Sequence, residues 1–146
     1  MKNFKFSVQS VLDLKIKFED QEKVKLLKLK NELNSLLDEL NALKNLYENC
    51  KRELRELSAI GTTTIKFSEM VLYIKEIDNN IVSKKCEIDK VQEKVELQAN
   101  VLKEMNKEVK MLEKLREKQL SLHNKLALKE DELIVDDFLA GKSLKY

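Results

Sequence analysis

Helix breakers are almost absent from this chain: two glycines, Gly61 and Gly141, and no proline interrupt its 146 residues. Inside a helix, proline costs about 3 kcal/mol and glycine about 1 kcal/mol, so their placement divides the sequence. The spacing predicts a helix from about Ser7 to Ser58, a turn over about 59–64, a second helix from about Ile65 to Val135, and a frayed tail, 136–146. The expected architecture is all-α: one coiled-coil domain, 1–146, folded as a long antiparallel two-helix hairpin. Such a fold has one seam and no enclosed pocket, so its function must lie on its surfaces and ends.

Apolar residues set the seam. Leu26, Leu29, Leu33, Leu36, Leu40, Leu43, Tyr47, Cys50, Leu54 and Leu57 step by three and four, the heptad signature of a coiled coil. Beyond the turn the stepping returns through Phe67, Met70, Ile74, Ile77, Ile81, Lys84, Ile88, Val91, Val95, Gln98, Leu102, Met105, Val109 and Leu112. Folding the chain back at Gly61–Thr64 sets Leu57 opposite Phe67, Leu43 opposite Ile81 and Leu29 opposite Val95, so a single register serves both stripes. Lys84 falls opposite Leu40, where its long stem can carry the ammonium outward.

The same register would place Glu22 and Glu19 against Leu102 and Met105. A one-residue shift restores apolar layers, pairing Phe18 with Met105, Leu14 with Val109 and Val11 with Leu112. A skip within Glu19–Lys23, absorbed by altered winding, is therefore expected. At the turn, Gly61 is suited to a left-handed conformation and Thr62, Thr63 or Thr64 to capping the second helix. Ser7 or Asn3 is expected to cap the first. Cys50 and Cys86 lie too far apart along the hairpin to bridge, and read as free thiols.

In this alignment the first helix ends opposite roughly Gln119, while Leu122, Leu126, Leu133, Ile134, Val135, Phe138 and Leu139 continue. Leucines left in water forgo roughly 1.5–3 kcal/mol each, so this overhang should dock onto another protein or a second copy. At the turn, Ile60, Ile65, Phe67 and Tyr73 crowd together and either close the hairpin or form a second, tip docking surface.

Composition narrows the function classes. Charged residues make up 37% and carry a net charge of only +2; lysine and glutamate alternate, which argues against a nucleic-acid footprint. No apolar run reaches the ~20 residues of a membrane span, and Met1–Phe6 lack the apolar core of a secretion signal. A cytoplasmic location is expected. A single histidine, His123, two distant cysteines and two distant glycines offer no triad, metal site or phosphate loop. Neither enzymatic chemistry, a cofactor nor a small-molecule substrate is expected.

Two stretches carry a family resemblance: the opening Phe4-Lys5-Phe6-Ser7-Val8-Gln9-Ser10-Val11-Leu12-Asp13-Leu14-Lys15, and Leu112-Glu113-Lys114-Leu115-Arg116-Glu117-Lys118. With the chain length and single hairpin, they resemble the FliJ family of the bacterial flagellar type III export apparatus. The resemblance implies a nonenzymatic stalk, similar to the two-helix stalk of rotary ATP synthase gamma subunits, associated peripherally with the inner-membrane export apparatus. It implies three partners: the hexameric export ATPase, the cytoplasmic domain of the export gate, and export chaperones. Carried onto this chain, the ATPase contacts are Phe4, Phe6, Val11, Leu12, Leu14, Leu112, Leu115, Arg116 and Lys118, joined by Leu122 and Leu126 of the overhang. Asp136-Asp137-Phe138-Leu139 departs from the family pattern, which leaves the tail without an assigned role. A stalk from a virulence-type secretion system and a structural homodimeric coiled coil with no ATPase partner stand as alternatives.

Overall fold

The computed structural model describes residues 3–144 and contains two helices, α1 (Gln9–Ile60) and α2 (Thr64–Leu144), with no strand among the described residues. The helices pack against each other as the expected all-α hairpin. Contacts divide the chain into two compact units. One comprises Glu22–Val101 and includes the turn; the other joins the described residues up to Gln21 with those from Leu102 onward.

The turn unit is built on the two predicted stripes. Leu40, Cys50, Ile77, Ile81 and Ile88 are buried together, and Leu33, Leu36, Leu43, Tyr47 and Ile74 pack against them. Lys84 leaves the seam as expected: its Nζ reaches Glu39 Oε2, 2.6 Å away, beside Leu40. That bond raises the Lys84 pKa above its ordinary value. Gln98 donates to the Glu22 backbone carbonyl at 3.2 Å and to the Glu22 carboxylate. A seam position expected to face Leu26 is thereby tied one turn earlier in α1.

Local chemistry explains the reversal. Gly61 has φ +103°, a conformation open to glycine at little cost, and its N–H donates to Leu57 O at 2.9 Å, closing α1 with a left-handed cap. Among the three candidate threonines, Thr63 is the cap: its Oγ1 accepts the Lys66 N–H at 3.2 Å, three residues into α2.

In the terminal unit the expected skip does not occur. Leu12 and Glu19 are buried and Lys15 is half-buried, so the inward positions continue by threes and fours without interruption. Phe18, Leu14 and Val11, which the skip would bury, are 43%, 50% and 44% exposed. Carrying the heptad phase through keeps α1 regularly wound and seats the Glu19 carboxylate at the seam beside an amide. Glu19 accepts from Asn106 Nδ2 at 3.5 Å.

Two helix ends also differ from expectation. α1 opens at Gln9, two residues beyond Ser7, because a turn closed by the Gln9 N–H on Phe6 O precedes it and leaves Val8 at the capping position. α2 runs to Leu144, through most of the segment expected to fray. Nothing in 136–144 stops a helix, since Gly141 alone costs only about 1 kcal/mol. Residues 145 and 146 of the expected tail lie outside the described residues. Cys50 is buried, Cys86 is exposed, and both are free.

Candidate functional site

The terminal unit is organised by the phenylalanines of the opening segment. Phe6, Leu12 and Val109 are buried as one cluster, with Phe4, Val8 and Leu112 packed against it. The turn before α1 lets the Phe6 side chain return to α2 while its carbonyl accepts the Gln9 N–H. Phe4 lies further along α2, its ring centroid 5.6 Å from that of His123 at an interplanar angle of 53°. The Arg116 guanidinium sits 5.9 Å from the Phe4 centroid, a cation–π distance, and its Nε donates to Gln9 Oε1 at 3.0 Å.

These contacts sort the expected site residues into two groups. Phe6 and Leu12, 7% and 3% exposed, and half-buried Leu112 are committed to packing. Phe4 and Arg116 pin the opening segment to α2. Val11, Leu14, Leu115, Leu122 and Leu126 remain exposed, as does Lys118. Polar substitution at Phe6 would therefore damage the unit's core as well as any docking.

Heptad geometry gathers most of the exposed group onto one side. With Leu12 and Val109 at seam position a, Val11 and Phe18 fall at g and Leu14 at c; on α2, Leu115 and Leu122 fall at g and Met111 at c. In an antiparallel pair the g positions of both helices flank the same side of the seam. The Lys15–Glu108 ion pair, 2.7 Å long, ties the helices on that side, since Glu108 is also a g position. The result is a mainly apolar face contributed by two helices, with the Lys15–Glu108 pair and exposed Lys118, at a c position, within it. Contiguous exposed apolar surface of this kind marks interaction sites.

Sequence reasoning missed Phe18 because the assumed skip assigned it to the seam, and Met111 because only the seam stripe of α2 was followed. Stepping through Lys15, Glu19 and Glu22 without regard to polarity would have placed Phe18 on this face. It also missed the Phe4–His123 contact, which depends on a nonhelical segment that periodicity does not describe.

In the turn unit, Ile60 is 84% exposed and Ile65 73%, with Phe67, Val71, Leu72 and Tyr73 exposed to lesser degrees. The tip is thus an apolar surface and not a closed hydrophobic knot. Among the described residues, no group of three or more histidine, cysteine, aspartate or glutamate side chains is placed to hold a metal. No helix there is long and apolar enough to cross a membrane.

A family model described as flagellar FliJ protein matches residues 4–143. No curated protein and no solved structure matches the chain.

Proposed function

We propose, from the premise that the chain belongs to the FliJ family, that it is a nonenzymatic adaptor of flagellar protein export whose terminal unit docks on the export ATPase ring. The premise supports a role in flagellar export. The two-helix apolar face carries the finer reading: Val11, Leu14, Phe18, Met111, Leu115 and Leu122 stay exposed although the same unit buries Phe6, Leu12 and Val109. A folded unit that leaves such a face uncovered is suited to a partner. Several apolar anchors buried at the centre of an interface can account for several kcal/mol of binding. The exposed tip, Ile60, Ile65, Phe67 and Tyr73, is a second surface in this reading, suited to the export gate or to chaperones. The adaptor works in the cytoplasm, held peripherally at the membrane by those partners.

The test is affinity of the purified chain for the flagellar export ATPase. Leu14→Glu with Leu115→Glu, both on this face, should weaken binding by two orders of magnitude or more, on the order of 3 kcal/mol, with helicity retained. Charge reversal at exposed Lys85 and Lys94 in the turn unit should change it little, because solvent screens such charges. Retained helicity with unchanged affinity would remove this face from the mechanism.

A further inference from the structure

Because α2 continues to Leu144, its last third presents a second pattern. Leu122, Leu126, Lys129, Leu133 and Asp136 recur at steps of four and three, and the three leucines are 59%, 63% and 62% exposed. Charge along 118–137 is divided: Lys118, Lys125 and Lys129 precede Glu130, Asp131, Glu132, Asp136 and Asp137. A helix that is basic in its first half and acidic in its second is complementary to itself when reversed.

We infer that this segment pairs with the same segment of a second copy, antiparallel about a two-fold axis, with Leu122 opposite the partner's Leu133. A two-fold interface must satisfy every contact twice, and this register does so. Leu126 meets the stem of the partner's Lys129, which can carry its ammonium outward. Beside Leu126, Lys125 faces the partner's Glu132, and the two-fold repeats that pair with the partner's Lys125 facing Glu132. These pairs join opposite charges, whereas in-register parallel pairing would set Lys129 on Lys129 and Asp136 on Asp136 within the stripe. Such repulsion selects orientation in coiled coils. The pairing requires no other protein, but it shares Leu122 with the two-helix face, so self-pairing and docking of that end on the ATPase compete.

Cross-linking of the full chain tests both association and register. In a Cys50→Ala, Cys86→Ser background, Leu122→Cys and Leu133→Cys are introduced together. Within one helix these positions are roughly 16 Å apart, while a disulfide needs Cα atoms within about 7 Å, so closure can occur only between copies. The double variant, and an equal mixture of the two single variants, should give a covalent dimer on mild oxidation. Each single variant alone should not. By sedimentation, Lys125→Glu should weaken the dimer about tenfold, and adding Glu132→Lys should restore it. A monomer at concentrations up to about 100 μM, or self-linking of either single variant, would overturn the proposal.

Discussion

Truncating two leucines separated by a single residue distinguishes the continuous seam from a skipped one. Leu12 is 3% exposed, in contact with Phe6 and Val109, whereas Leu14 is 50% exposed. Leu12→Ala removes buried methyl groups and leaves a cavity, a change that costs about 2–5 kcal/mol. Leu14→Ala gives up only partial burial where water fills the space, roughly 1 kcal/mol or less. Because the chain contains two units, a global melt would blur the comparison, and amide hydrogen exchange of residues 105–112 is the sharper assay. If those amides exchange through opening of the terminal unit, Leu12→Ala should accelerate them roughly 30-fold to several thousandfold. Leu14→Ala should accelerate them by less than about tenfold. The reverse order would refute the continuous seam, since a skip would bury Leu14 against Val109 and turn Leu12 outward.

Two further outcomes follow from the turn unit. Thiol labelling of the folded chain should modify exposed Cys86 rapidly and buried Cys50 only on opening, and a nonreduced peptide map showing a Cys50–Cys86 link would refute the register. The Gln98 amide, and secondarily Lys25, hold the Glu22 carboxyl below its ordinary value of 4.5. A depressed carboxyl pKa favours folding at pH values above that ordinary value, and the contribution is lost as pH falls through the folded-state value. Gln98→Leu should move the Glu22 titration, followed by NMR of its carboxyl carbon, upward toward 4.5; an unmoved titration would show that Gln98 is not the cause.

The hairpin was legible because its determinants are local and periodic. Proline is absent, Gly61 stands at the turn with Thr63 two residues on, and leucine and isoleucine recur along both helices. Misreading began where the seam carries polar residues. Glu19 and Glu22 look like outward positions when polarity is the guide, yet helix geometry keeps the heptad phase and amides from Asn106 and Gln98 meet their side chains. The opening phenylalanines were legible as a motif but not as a structure, because Phe4 and Phe6 act through a nonhelical segment. The extension to Leu144 was missed by treating Gly141 as a stop, although a lone glycine is a weak one. The apolar face followed from neither stripe alone, since it takes the phase of both helices to bring Phe18 and Met111 to one side of the seam.

Oxidative footprinting of the chain, at matched concentration with and without the flagellar export ATPase, tests the central claim most directly. Met111 lies on the two-helix face and is 70% exposed, so its thioether reports on that surface in a reaction sensitive to access. Docking through the terminal unit should protect Met111, with Phe18, Leu115 and Leu122, while Leu72 and Tyr73 of the turn unit keep their reactivity. Protection confined to Leu72 and Tyr73, with Met111 oxidised at its free rate, would contradict the account.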